Sequence, residues 1–167
     1  MPDFEEEGYK VSVKVTDAYV RMPDGGELPM NIVVRDKDLD LAFLKPKTPV
    51  KEKMPCINLK NASDPMVLDK LVTVHKLGQI AGRQFAAVFD EVISVVKKPR
   101  KFYVIGGYAL GGPAFTMDGK PVGIIVLRRN PKAKYSSASS RSSFETLCIV
   151  LPASTVMQAA EQAKKTK

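Results

Sequence analysis

The residue types that could perform acyl transfer are few in this chain and lie far apart. It contains one histidine, His75, in the stretch LVTVHKLG, and two cysteines, Cys56 and Cys148. A serine-type hydrolase needs a hydroxyl or thiol nucleophile, a histidine base, a carboxylate that orients the base, and amide donors for the oxyanion. The alternation around His75 predicts a strand, where a lone histidine is more often structural than catalytic. His75 by itself therefore does not predict a hydrolase.

Two polar clusters have structural interpretations. Asp36, Asp38 and Asp40 lack the glycine and the distal glutamate of a calcium loop, and on a strand such even positions share one side of the pleat. A polar strand face is therefore the favoured interpretation of the three aspartates. The serine-rich composition of residues 135–143 is typical of a loop and marks no nucleophile.

The cysteines predict neither a metal site nor a disulfide framework. Cys56 and Cys148 form no C-x-x-C pair, and one histidine is too few for a zinc site. Both cysteines lie in apolar stretches, which favours buried free thiols. We expect no metal and no cofactor.

The pattern of apolar residues indicates an all-β fold. Most of the chain alternates apolar and polar residues with a period of two, and Gly, Pro, Asn and Asp interrupt it at short intervals. Strands are predicted at residues 17–22, 28–35, 39–45, 71–76, 84–96, 102–105 and 121–127. The proline-rich residues 46–69 predict an extended connection.

A helix is predicted at the end of the chain, where the composition becomes rich in alanine. Ser154 or Thr155 is expected to provide its N-terminal cap. The spacing predicts that one face holds Val156, Met157, Ala160 and Ala163.

Three stretches, taken in order, resemble the trypsin-like serine proteases of the HtrA type. The first, PDGGELPMNIVVRDKDLDLAFLK, is similar to the hairpin and strand that carry the catalytic aspartate, which would be Asp40. The second, GGYALGGPAFTMDGKPVGII, is similar to the nucleophile loop Gly-Asn-Ser-Gly-Gly-Pro and the hairpin after it. The third, CIVLPASTVMQAAEQAK, is similar to the strand and helix that end this protease domain before a PDZ module.

The resemblance also implies that the nucleophile has been lost. It places Leu110 at the position of the serine, and a leucine side chain has neither a lone pair nor a proton to lose. Ala109 and Tyr108 precede it, and a tyrosine in place of glycine disfavours the positive φ that turns an amide toward an oxyanion. Gly111 and Gly112 complete this degenerate oxyanion and nucleophile loop.

The histidine base is missing from the position that the resemblance implies. The family's histidine would fall within residues 9–15, which contain none, and His75 lies instead in the first strand of the second barrel. Of the catalytic residues, only the vestigial Asp40 remains.

The resemblance implies an all-β fold of two six-stranded-type Greek-key barrels with a C-terminal α-helix, the first barrel being incomplete. Residues 1–50 would form the partial N-terminal barrel, and residues 51–69 the connecting segment. Residues 70–151 would form the second barrel, and residues 152–167 the helix.

The functional hypothesis is a pseudoprotease, not an enzyme, that serves as a scaffold and binds an extended peptide or a protein partner. The alternative is a serine-type hydrolase whose missing residues lie outside this chain, or which uses an unusual nucleophile. The family resemblance suggests an extracytoplasmic location in bacteria.

The net charge of +8 suggests a third candidate, an anion-binding module. The basic residues are scattered and not interleaved with aromatic residues, so no nucleic acid partner is expected. No apolar run is long enough for a membrane span, and oligomerisation stays open.

Overall fold

The computed structural model describes residues 15–22, 24–50, 54–107, 111–129 and 146–166. Within these ranges, nine β-strands precede a C-terminal α-helix. The predicted serine-rich loop at residues 135–143 lies outside them. No helix in the described ranges is long and apolar enough to cross a membrane.

The first three strands form a small antiparallel sheet in the order β1-β2-β3. They are β1 (Ala18–Arg21), β2 (Glu27–Asp36) and β3 (Leu41–Pro46). The β1–β2 turn is closed by the amide of Met22, which donates to the carbonyl oxygen of Gly26 over 2.8 Å. In the described part of the chain, a three-stranded sheet thus lies where a partial first barrel was predicted.

The other six strands close into an antiparallel barrel in the order β4-β5-β6-β9-β8-β7. They are β4 (Lys70–Lys76), β5 (Phe85–Val96), β6 (Phe102–Ile105), β7 (Pro113–Thr116), β8 (Pro121–Arg129) and β9 (Thr146–Pro152). Its interior is filled by fully buried side chains that include Leu71, Val92, Tyr103, Ile125 and Val150. Each contributes on the order of 1.5–3 kcal/mol by leaving water.

A second core joins the barrel to the small sheet and the helix. Val126, Ile149 and Leu151 face outward from the barrel and contact Leu39 and the helix α1 (Ala153–Lys165). The predicted all-β barrel architecture with a C-terminal helix is therefore confirmed, and this second core sets the position of the small sheet against the barrel.

The helix begins earlier than predicted. Ala153 is its first residue and Pro152 occupies the N-cap, with no side-chain capping bond, so the prediction of a Ser154 or Thr155 cap is wrong. Proline suits this position because its fixed φ leads the chain into the helix without an amide to satisfy. The buried face consists of Ala153, Val156, Ala159 and Ala163, while Met157 and Ala160 are half-buried.

The two cysteines are free thiols in different surroundings. Cys148 is buried in the barrel, as predicted, whereas Cys56 is exposed. The prediction was wrong for Cys56 because its apolar neighbours Met54 and Ile57 lie in the connecting segment and are themselves exposed.

Candidate functional site

Asp40 lies in the turn between β2 and β3. The carboxylate oxygen Oδ1 of Asp36 accepts a 2.9 Å hydrogen bond from the amide of Leu39, whose side chain is buried in the second core. Asp40 follows with φ +55° and is exposed. Aspartate tolerates this left-handed conformation better than most residues. The turn is thus anchored by Leu39 and presents Asp40 at the surface.

The three aspartates do not share a strand face, as the sequence had suggested. Asp36 ends β2, whereas Asp38 and Asp40 belong to the turn at residues 37–40, and β3 begins only at Leu41. The interpretation as one strand face was wrong because the side chain of Asp36 stabilises a chain reversal, which places Asp38 and Asp40 in a turn.

The entry to the predicted nucleophile loop is held by Asp90 on β5. Its Oδ1 accepts hydrogen bonds of 3.1 Å from the amides of Gly106 and Gly107, and one of 2.9 Å from the amide of Glu91. A Cβ atom on Gly107 would lie 2.2 Å from Oδ2 of Asp90, so a larger residue there would displace this carboxylate. Sequence analysis missed Asp90, whose one signal is a carboxylate placed within a mostly apolar strand.

The exit of the loop is held by β8 and β4. The amide of Gly111 donates to the carbonyl oxygen of Ile125 over 3.0 Å, and the amide of Ile125 donates to the carbonyl oxygen of Gly112 over 2.9 Å. Gly111 has φ +74°, and a Cβ atom on Gly112 would lie 2.4 Å from the carbonyl oxygen of Val74. Both glycines are therefore required by backbone conformation or close approach.

The residues between these two anchors are Tyr108, Ala109 and Leu110. They lie outside the described residues, so their assignment to a degenerate oxyanion and nucleophile loop stays a prediction.

Asp40 and Gly111 line the same cleft, a cavity of about 240 Å³ between the β2–β3 turn and the barrel. The remaining lining residues are Leu41, Ala42, Ile124, Ile125, Val126 and Leu127. The structure thus brings together the carboxylate and the loop that the sequence had paired. Of the described residues that line the cleft, Asp40 is the only charged one, and the other side chains are apolar.

One edge of β8 borders this cleft. Both backbone polar groups of Ile125 bond to the loop at Gly111 and Gly112, and therefore point away from β9. Because backbone direction alternates along a strand, Leu127 presents its N–H and C=O toward the same side. Within the described ranges, β7 pairs with β8 only as far as Ile124. Among the residues that the structure describes, no strand pairs with Leu127 on that side.

His75 lies beside the loop but not in the cleft. It follows Leu71 and Thr73 on the side of β4 that faces the barrel interior, and it is half-buried. Its Cβ lies 3.8 Å from the position that a Cβ on Gly112 would take. Its Nδ1 is buried without a hydrogen-bond partner among residues that the structure describes. His75 is not among the residues that line the cavity with Asp40.

Cys148 does not provide a substitute nucleophile. Burial raises the pKa of its thiol, and the negative charge of Asp90 raises it further. The thiol is therefore protonated at neutral pH, whereas thiol nucleophiles react as thiolates. In the described part of the chain, no three His, Cys, Asp or Glu side chains are placed to hold a metal ion.

Comparisons with known proteins establish the fold. No family model matches the chain, and no curated protein matches its sequence. Among solved structures, it is similar to the crystal structure of the MamO protease domain from Magnetospirillum magneticum in its apo form. The two share 15% sequence identity with a TM-score of 0.58, over 86% of this chain and 74% of that one. The chain therefore has a trypsin-like protease fold.

Proposed function

We propose that this trypsin-like domain is a pseudoprotease that binds an extended peptide without cleaving it. The observation that carries the proposal is the cleft itself, which is lined by Asp40, by Gly111 and by one edge of β8. A peptide that adds a strand to such an edge gains main-chain hydrogen bonds without any catalytic group. The backbone N–H and C=O of Leu127 would supply these bonds.

The lining of the cleft favours a particular class of peptide. Leu41, Ala42 and the β8 residues offer apolar contacts, and Asp40 offers one exposed carboxylate. We infer that the bound segment carries apolar side chains and a lysine or arginine at the position opposite Asp40. A peptide with an acidic residue at that position would bind more weakly because the two like charges repel.

Two observations support the absence of catalysis. The sequence places Leu110 where the family has its serine, and the chain's one histidine lies against Gly112 outside the cavity that Asp40 lines. Asp40 then has no base to orient. We further infer the HtrA type, with an associated PDZ module, from the order of the three sequence stretches.

Incubation with casein and a fluorophosphonate probe tests the catalytic half of the proposal. We expect neither cleavage nor labelling of the wild-type chain, nor of a Leu110→Ser variant, because both lack the base. Labelling of the wild-type chain would contradict the proposal and support a hydrolase with an unusual nucleophile.

Fluorescence anisotropy with labelled peptides tests the binding half. Asp40→Ala should weaken binding of apolar peptides that carry one lysine by about fivefold, the value of one surface ion pair. Asp38→Ala is the matched control, because Asp38 lies in the same turn but lines a different groove. Equal effects of the two variants would contradict the proposed role of Asp40.

A second pair of variants tests strand addition. Leu127→Pro removes the N–H that points toward the cleft, whereas Leu127→Ala keeps the N–H and removes the side chain. We expect Leu127→Pro to weaken peptide binding much more than Leu127→Ala. The opposite order would assign binding to the side chain and not to the edge of β8.

A further inference from the structure

The hairpin of β4 and β5 extends beyond the barrel as a two-stranded ribbon. β4 pairs with β7 only between Leu71 and Thr73, and β5 pairs with β6 only from Val92 onward. Residues 74–76 pair with residues 85–87 and, in the described ranges, with no other strand. We call residues 74–89 the ribbon.

The ribbon carries exposed apolar side chains. Ile80 at its tip is fully exposed, and the exposed fractions of Phe85 and Phe89 are 76% and 73%. Phe85 and Phe89 lie four residues apart on β5, so they share the outer face of the ribbon. Exposed aromatic and aliphatic groups gathered at a protruding element are a sign of an interaction surface.

The charges within the ribbon are positive. Residues 74–89 contain Lys76 and Arg83 but no acidic residue, whereas Asp90 and Glu91 follow directly on β5. The ammonium group of Lys76 lies 5.7 Å from the centre of the Phe85 ring. A cation is thus placed beside the exposed aromatic side chain.

We propose that the ribbon docks on an anionic lipid surface. Ile80, Phe85 and Phe89 would enter the boundary between headgroups and acyl chains, while Lys76 and Arg83 contact lipid phosphates. Three such side chains bury at most roughly 600 Å². A stable interface between proteins needs roughly 800 Å² from each partner. The narrow ribbon offers less area than this, so insertion into lipid suits it better than a protein interface. The docking surface is separate from the cleft at Asp40 and does not depend on peptide binding.

A tryptophan reporter tests insertion directly, because the chain contains no tryptophan. We expect the emission of an Ile80→Trp variant to shift to shorter wavelength with vesicles of phosphatidylcholine and phosphatidylglycerol. Vesicles of phosphatidylcholine alone should give no shift. Met66→Trp is the control, since Met66 is 72% exposed outside the ribbon. No shift for Ile80→Trp, or equal shifts for both variants, would overturn the proposal.

Co-sedimentation with the same vesicles tests the charges and the aromatic contact. Lys76→Gln with Arg83→Gln should weaken binding about fivefold for each cation removed, and Phe85→Ser about tenfold. The control Lys47→Gln with Lys60→Gln removes two exposed cations elsewhere and should have a smaller effect. Equal losses in the two charge variants would overturn the proposal in favour of net charge alone. The chain could also form a dimer in the absence of lipid. If Phe85→Ser abolished such a dimer, the ribbon would bind a second copy of the chain, and the lipid proposal would be overturned.

Discussion

At the scale of single residues, Asp90 couples β5 to the loop that enters the cleft. Its half-buried carboxylate accepts hydrogen bonds from three backbone amides. We expect Asp90→Ala to lower the free energy of unfolding by about 2–3 kcal/mol, because hydrogen bonds to a charged group are lost and the amides of Gly106 and Gly107 lose their acceptor. Urea denaturation measures the change.

Glu91→Gln is the matched control for this prediction. Glu91 is the next residue on β5 and is also half-buried, and we expect its substitution to change the free energy of unfolding by less than about 0.5 kcal/mol. If Asp90→Ala were no more destabilising than Glu91→Gln, the carboxylate would not hold the loop.

Asp64 makes stability depend on pH. Its carboxylate bonds to the ammonium of Lys101 and to the hydroxyl of the buried Tyr103, and these bonds, that of Lys101 first, lower the pKa of Asp64. Because the pKa of Asp64 is lower in the folded state, the ionised carboxylate stabilises the fold at pH values above its pKa in the unfolded state. This contribution is lost as the pH falls through the folded pKa.

We therefore predict that the stability advantage of the wild-type chain over Asp64→Asn is full at neutral pH and declines below about pH 4. Urea midpoints measured across the acidic range provide the test. Lys101→Gln should raise the pKa of Asp64 toward its ordinary value, so that the decline then spans a narrower range of pH. A constant difference between the wild-type chain and Asp64→Asn would show that the carboxylate does not act through its charge.

The sequence analysis singled out Asp40 and Gly111, which line the cleft, but not the hydrogen bonds of Asp90 that hold the loop. Asp40 and Gly111 were recognisable because they belong to local stretches with a family resemblance. The bonds of Asp90 join residues about sixteen positions apart and follow from the register of β5 against β6, which a β-bulge shifts between Val92 and Ser94. No local pattern carries that information.

At the scale of elements, period-two alternation located most strands but not all of them. The prediction at residues 102–105 is confirmed with the same bounds, and that at residues 84–96 differs from β5 by one residue. β7 has four residues and directly follows Gly111 and Gly112, and alternation did not predict it as a strand, although the family resemblance implied a hairpin there. The start of β3 was placed too early because the turn at residues 37–40 contains no glycine or proline.

The close pairing of β8 with β9 depends on Gly123. A Cβ atom at this position would lie 1.8 Å from the carbonyl oxygen of Leu151, which belongs to a strand ladder and cannot shift freely. We predict that Gly123→Ala lowers the free energy of unfolding by about 3 kcal/mol or prevents folding. Circular dichroism during thermal unfolding measures the effect.

Gly78→Ala is the control for Gly123→Ala. Gly78 has φ −67°, and a Cβ atom there would meet no atom within 4 Å. Alanine at this position should be neutral or stabilise by up to about 1 kcal/mol through the unfolded state. Comparable destabilisation by both variants would contradict the close approach at Gly123.

At the scale of the whole molecule, the small sheet depends on the barrel for its stability. A three-stranded sheet has little core of its own, and Leu39, Leu41 and Phe43 contact the outer face of the barrel and the helix. Leu39 is 5% exposed and belongs to the turn that carries Asp40. The cleft therefore exists only while the sheet is docked on the barrel.

This dependence predicts one cooperative unfolding transition for the sheet and the barrel. Leu39→Ala should lower the free energy of unfolding by about 2–4 kcal/mol, because it removes a buried side chain and leaves a cavity between the two units. Amide hydrogen exchange should give similar opening free energies for the paired amides of β2 and β9, both lowered together in the variant. Leu44→Ala is the control, since the side chain of Leu44 is 40% exposed on β3. If β2 exchanged at much lower free energy than β9 in the wild-type chain, the sheet would open alone, and the carboxylate of Asp40 would not be held against β8.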